Sequence, residues 1–300
     1  MTCQFGATPL ELGRPYLAAD LRDSNDVLDD ASALRARLAQ DGYLLIRELR
    51  PRSDVLDIRR EILTSLEQKG ALLQGAELMD GLVRPGAGFD TTTVRGKDDL
   101  RRTPAFQRFI RMPQVTGFFE RLLGGPAGTF DFQWLRIAGH GASSAVHADI
   151  VFMGRGTKHL YTCWTPLGDV SLDMGPVVLL QGSHHIDKVK QTYGQCDVDR
   201  DLIEGWISKD PIEMVNLFGC RWSTTEFRTG DILIFGMYLL HASLTNTSKR
   251  CRISVDARYQ LASEPFDERW IGENPVTHYN FWKPGVQLEP VPVSRKRWGF

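Results

Sequence analysis

Apolar positions along the chain change period once, near residue 129. Before it the pattern is helical. From Asp29 a stretch with Leu34 and Leu38 on one side ends at Asp41-Gly42 and runs into the short strand 43–46. Ser53, after Pro51, is placed to cap a second helix whose Val55, Ile58, Ile62 and Leu66 keep to one face until Gly70 stops it. Pro104 opens a helical stretch through Phe106, Phe109 and Ile110; Pro113 restarts it with Val115, Phe118, Phe119 and Leu122, ending at Gly124-Gly125. From Thr129 the period is two, with turn residues between short strands at 130–138, 145–152, 159–167, 176–181, 212–217, 232–235 and 252–259. Short strands in that number predict a mainly β fold with flanking α: a double-sheet, cupin-like jelly roll with N-terminal helices packed against it.

The remaining segments carry no period. Residues 1–25 mix Pro, Gly and charge and read as a surface arm. Residues 71–103 are rich in Gly and charge, and such a segment is either a lid over a site or a solvated connector. The expected organisation is one domain: a helical part with the candidate lid at 1–128, the jelly roll at 129–261, and an irregular tail at 262–300 wrapping it. The basic 295–297 run is read as solvated surface.

Composition narrows the function classes. Of 300 residues 42% are hydrophobic and 24% charged, which suits a globular chain with a sizeable core, and the net charge of −1 supplies no field for nucleic acid or an anionic membrane. Five cysteines, odd in number and without a CxxC, fit neither a disulfide framework nor a zinc knuckle and predict reduced thiols in a cytoplasmic compartment. No apolar run reaches the length of a membrane span, and residues 1–20 lack a signal-type apolar segment.

Candidate chemistry centres on His147-Ala148-Asp149. Two residues apart on an extended strand, the imidazole and carboxylate project to the same side and could clamp a metal ion. A surface carboxylate beside a structural histidine would look the same. His241, closing the apolar run from 232, offers a third ligand, and two imidazoles with one carboxylate form the facial triad of non-haem Fe(II) oxygenases. Arg252 follows in a strand whose Arg252, Ser254, Asp256 and Arg258 share one face; a polar face turned inward is costly unless ligands or partners satisfy it.

The segments CWTPL (163–167) and DMGPVVLLQGSH (173–184), then Thr229-Gly230-Asp231 leading to His241, Ser243 and Arg252, with Asp41-Gly42-Tyr43 earlier, resemble the phytanoyl-CoA dioxygenase family of Fe(II)/2-oxoglutarate oxygenases over about residues 30–260. The resemblance implies a double-stranded β-helix with iron ligands His147, Asp149 and His241. It implies that Arg252 pairs with the far carboxylate of 2-oxoglutarate, which a guanidinium fork reads bidentately. Ser243 and Trp164 match positions lining the co-substrate pocket, although Trp164 reads equally well as core. The implied reaction takes Fe(II), 2-oxoglutarate and O2, releases succinate and CO2, and hydroxylates an unactivated C–H of a small organic molecule or acyl thioester. Related halogenases carry a small residue where Asp149 stands, so hydroxylation is favoured. The same iron site could instead serve desaturation, epimerisation or cyclisation, and a non-catalytic cupin-like binding protein is the alternative of another class. Monomer and homodimer are both open. His184 and His185 read as a turn; His140 and His159 as strand-end residues or substrate contacts; Arg155 and Lys158 as a loop or an anion-facing pair. A coenzyme A ester would want the basic residues Arg84, Arg95, Lys97, Arg101 and Arg102, diluted by Asp98 and Asp99.

Overall fold

The computed structural model describes residues 1–87, 99–281 and 283–300. Two mostly antiparallel sheets face one another. In the larger, Tyr43–Ile46, Ile232–Gly236, Tyr161–Pro166, Arg252–Leu261 and Ala127–Thr129 follow in order, and Trp134–Ala138 pairs with the first half of Arg252–Leu261. In the smaller the order is Leu17–Ala18, Trp222–Ser223, Val177–Leu180, His241–Ser243 and Ser144–His147. This is the jelly roll that the period-two pattern predicts.

Strand alternation sorts each side chain to one of three layers. Leu44, Ile46, Cys163, Ile232, Ile234, Ile253, Val255 and Ala257 point outward from the larger sheet into a core shared with the helices. Their neighbours Tyr43, Leu45, Trp164, Leu233 and Phe235 point inward and meet Val177 and Leu179 of the smaller sheet. Val178, Leu180, Trp222 and Ala242 face out from that second sheet into a third cluster. Because Ile253, Val255 and Ala257 face out, Arg252, Ser254, Asp256 and Arg258 must face the space between the sheets.

Helices Ala31–Asp41, Arg52–Gln68, Pro104–Ile110 and Pro113–Leu123 cover the larger sheet. Asp30 caps the first by accepting from the backbone of Ser32 and Ala33, and Gly42 ends it at φ 79°, a conformation that suits a residue without Cβ. Thr103 caps the third through the Phe106 N–H. Ser53 is not a cap: the second helix begins at Arg52, because Pro51, its φ fixed near −55° by the ring, sets the turn one residue earlier.

Four other expectations are corrected. Residues 1–25 are no loose arm; Thr2–Phe5 and Thr8–Glu11 form a hairpin that buries Cys3, Phe5 and Leu10, and Leu17–Ala18 joins the smaller sheet. Residues 212–217 are not a strand. They lie in the helix Pro211–Phe218, started by the Asp210 side chain and Pro211 and stopped by Gly219 at φ 65°, caps that outweigh a short apolar run. The strand expected over 145–152 ends at His147 and gives way to the helical turn Ile150–Met153. The tail is partly regular, with the helix Val291–Trp298 carrying Arg295, Lys296 and Arg297. Residues 88–98 of the candidate lid, with Arg95 and Lys97, and Trp282 of the tail lie outside the described residues; residues 72 and 82–83 are bridged to each other and to Arg250.

Candidate metal centre

His147 closes the strand Ser144–His147 at the position paired with His241 on the neighbouring strand, which sets the two imidazole centroids 4.2 Å apart. Asp149 arrives by a different route from the one strand parity predicts. Its backbone turns to φ −63°, ψ −23° at the head of the helical turn, and that turn swings the carboxylate back toward the histidines. One nitrogen or oxygen from each of His147, Asp149 and His241 lies within 4.8 Å of the others, the one such grouping found among the described residues. Nε2 of His241 is 3.8 Å from Oδ1 of Asp149.

The protonation states suit a cation. Nδ1 of His147 stands 2.9 Å from the Ala145 carbonyl, and Nδ1 of His241 3.0 Å from that of Leu239. A carbonyl only accepts, so Nδ1 carries the hydrogen in each ring and Nε2 keeps a free lone pair for a metal. Burial, then the neighbouring His241, pushes the His147 imidazole down to about 3; burial likewise lowers His241. Burial works against the Asp149 charge, but Arg258, both histidines and the Thr162 hydroxyl outweigh it and hold the carboxyl below its usual range. Thr162 donates to Oδ2, so Oδ1 is left for a ligand.

The centre is braced from behind. The Ala148 N–H, between the two candidate ligands, donates to the Tyr193 hydroxyl at 3.1 Å, and that hydroxyl donates to the Gly205 carbonyl. Trp298 of the last helix packs edge-on against Tyr193 at 5.0 Å. Phe152 and Trp206 wall the His147 ring, and Phe235 the His241 ring. Asp199 ties the tail down, accepting from Arg269 at 2.6 Å and from the backbone of Asn280 and Phe281, with His278 Nδ1 at 2.8 Å.

A cavity of about 250 Å³ opens between the sheets at the two histidines. Trp164, Ser243 and Arg252 all line it, with Arg136, Phe235 and Asp256. A larger hollow, about 730 Å³, lies over the outer helices, away from the three candidate ligands. Trp164 also packs against Phe227 at 4.7 Å, so it lines the cavity and belongs to the core at once. Ser243 takes its backbone N–H to the Ser144 hydroxyl at 2.8 Å. Arg252 is buried, donates to the Ser254 hydroxyl at 2.8 Å, leaves its Nε without a partner, and is pulled down to about 10 by burial. A desolvated guanidinium with no carboxylate beside it is costly until an anion arrives.

Next to it runs a line of alternating charge that extends beyond the Arg252–Arg258 strand face to Arg136 and Asp149. Arg136 donates to Asp256 at 2.6 Å, Asp256 stands 4.0 Å from Arg258, and Arg258 reaches Asp149 at 3.3 Å. Arg136 and Thr162 were detectable by parity alone, since each alternates with an outward apolar residue. The other candidates lie elsewhere. His184 meets the Ala39 carbonyl, His140 that of Ser248, His159 pairs with Glu264, Arg155 with Asp197, and Lys158 with the Gly154 carbonyl. None of these joins the centre.

The family model for phytanoyl-CoA dioxygenase (PhyH) matches residues 38–254. A 1-deoxypentalenic acid 11-beta-hydroxylase of Streptomyces arenae is 27% identical over 261 residues, covering 82% of this chain and 86% of that protein. Among solved structures, the non-haem alpha-ketoglutarate-dependent epimerase SnoN of nogalamycin biosynthesis superposes with a TM-score of 0.55 at 17% identity, covering 87% of this chain and 92% of its own. The carbocyclase SnoK of the same biosynthesis gives 0.56 at 19% identity, covering 86% and 92%. Among the described residues no helix is long and apolar enough to cross a membrane.

Proposed function

The chain belongs to the phytanoyl-CoA dioxygenase family, and from that premise we propose that His147, Asp149 and His241 are its iron ligands and that Arg252, Ser243 and Trp164 form its 2-oxoglutarate pocket. As a member of the family it is a 2-oxoglutarate-dependent oxygenase that takes Fe(II), 2-oxoglutarate and O2. The observation that carries the assignment is Arg252: a buried guanidinium with a free Nε, facing the same cavity as two Nε2 lone pairs. A dicarboxylate held at the two imidazoles would come within reach of that fork, which a buried arginine such as Arg50, away from the cavity and bonded to the Phe109 carbonyl, does not offer. That argues against a non-catalytic cupin.

The donor set fits Fe(II), having two neutral imidazoles, one carboxylate and no thiolate, since Cys163 alternates to the outer face of its strand. When bound, iron, 2-oxoglutarate and O2 supply oxidative decarboxylation to succinate and CO2 together with C–H oxidation. The chain's own work is positional. Ala145 and Leu239 fix the histidine tautomers, Thr162 and Arg258 hold one oxygen of Asp149 so that the other is presented, Arg252 anchors a carboxylate, and Phe235, Val177 and Trp164 keep water out.

Asp149 supplies the third ligand, so hydroxylation of a small organic molecule is the favoured outcome, and the hydroxylase relative supports it. Epimerisation and ring closure occur on similar folds, and product mass separates them. A coenzyme A thioester finds less support: Arg101 is committed to Asp99 and Arg102 to Asn274. Five free thiols fit a reducing, cytoplasmic compartment, and the chain is read as one oxygenase domain, monomeric or dimeric. The deciding test is anaerobic. Protein with Fe(II) and 2-oxoglutarate should show a weak visible charge-transfer band that His147→Ala abolishes; no band and no calorimetric binding in the wild type would overturn the assignment.

A further inference from the structure

The cavity holds more positive charge than iron and co-substrate can use. Arg136, Arg252 and Asp256 line it, and outside that lining Arg258 pairs with Asp149. One positive charge is left over. A ferrous ion and the 2-oxoglutarate dianion cancel each other and leave it in place. A second anion, of a single charge, would balance it.

The position of that anion follows from which guanidinium lines the cavity with donors open to it, since Arg258, although its Nη1 has no partner, is buried outside the lining. Arg258 is buried, spans Asp149 and Asp256, lies over the Trp134 ring at 4.5 Å, and points its Nε at the Met153 sulfur. Arg252 is given to the co-substrate. Arg136 differs from both: Nε is held by Asp256, and 42% of the side chain remains uncovered while lining the cavity. Burial works against its charge, Asp256 restores it, and Asp149 adds to that, which places the guanidinium within electrostatic reach of the candidate ligands. The Asp256 bond orients the fork and leaves its terminal nitrogens to meet two oxygens together, the geometry in which a guanidinium reads a carboxylate. Size adds a limit. About 250 Å³, shared with 2-oxoglutarate, is below the roughly 300–1,000 Å³ of pockets that enclose drug-sized ligands.

We propose that Arg136 is the specificity-determining residue for the primary substrate, and that the substrate is a small monocarboxylic acid whose carboxylate it binds. This rests on the oxygenase reading above. The atom balance is that of the family reaction: one oxygen atom of O2 enters the substrate C–H bond, the other enters succinate as the C1–C2 bond of 2-oxoglutarate breaks and CO2 leaves, and the acid's carboxylate is unchanged.

The test uses the Fe(II)- and 2-oxoglutarate-loaded protein under argon. A panel of small aliphatic, alicyclic and amino carboxylic acids is titrated calorimetrically, each beside its amide and methyl ester, and succinate release is then measured in air. At least one acid should bind and raise succinate release above background, with its neutral analogues about 10- to 100-fold weaker. Arg136→Gln should weaken the same acid by a similar factor while the Kd for 2-oxoglutarate stays within about threefold; Arg136→Lys, which keeps the charge without the fork, should fall between. Arg136→Gln strands the buried Asp256 carboxylate, so R136Q/D256N, which removes both partners of the pair, is the control for folding. Equal binding of acid and amide, no acid bound, or an Arg136→Gln that weakens 2-oxoglutarate as much as the acid would overturn the inference. Loss of 2-oxoglutarate binding in the wild type would instead remove the oxygenase site on which it rests.

Discussion

Arg258 Nη2 stands 3.3 Å from Oδ2 of Asp149, while Oδ1 of the same carboxylate faces His241 Nε2 at 3.8 Å. The two oxygens thus divide between the protein and the proposed metal position. Such outer partners fix the angle at which a ligand is offered. Arg258→Met should therefore weaken Fe(II) or Mn(II) binding by about 10- to 100-fold without touching a proposed ligand. It also leaves Asp149 buried with less compensation, so thermal melting should fall together with affinity. Metal titration followed by melting checks both; unchanged metal affinity in a folded variant would count against the division of labour.

Arg252 should behave in the opposite way in the absence of ligand. Its guanidinium is buried with one hydroxyl partner and no carboxylate, so Arg252→Met removes a desolvated charge and should leave the unliganded protein equally or more stable. The same change should weaken 2-oxoglutarate by about 100-fold, the loss of two charge-assisted hydrogen bonds, with metal affinity retained. Calorimetry and melting curves separate the two effects.

Metal removal offers a measurement that needs no substrate. A cation that binds only the folded chain adds stability by mass action, about 2.7 kcal/mol at a hundredfold excess over Kd, or a Tm rise of about 5 °C for a chain of this size. Mn(II) under air should produce the rise, EDTA should reverse it, and His241→Ala should remove it.

The tail carries its own pH dependence. Burial opposes the Asp199 charge, but His278 and the backbone of Phe281 and Asn280 hold its carboxyl below the usual range; Asp197 is lowered too, with Arg155 and Arg269 outweighing its burial. A depressed carboxyl contributes stability that is complete above its unfolded value, about 3.9, and is lost as pH falls through the folded one. Stability should decline progressively below about pH 4. Asp199→Asn leaves Arg269 paired with Asp267 and Asp197 but sets an amide where the Arg269 and His278 donors need an acceptor, so it should cost about 1–3 kcal/mol at neutral pH, flatten that acid limb, and open residues 271–281 to limited proteolysis.

What the sequence disclosed about this site follows the range of each physical signal. Strand parity is local, and it put Arg252, Ser254, Asp256 and Arg258 on one inward face, opposite the outward Ile253, Val255 and Ala257. The approach of His147 to His241 depends on a pairing of two distant strands, with an irregularity between His241 and Ser243, which no local pattern encodes. Asp149 reached the expected place through a helical turn instead of an extended strand. The hairpin near the start stayed hidden because each of its strands is four residues long, too short for a period to emerge. The glycine in Asp173-Met174-Gly175-Pro176 has a reason visible only in three dimensions: at φ 71°, a Cβ on Gly175 would sit 2.4 Å from the Leu244 carbonyl, beside the strand that carries His241.

The brace behind the centre carries a consequence for handling the protein. Trp298 touches Tyr193, and Tyr193 holds the peptide between the two neighbouring candidate ligands. A change at Trp298 would reach the proposed ligand segment through one aromatic contact and one hydrogen bond, so variants made for purification should leave that residue untouched.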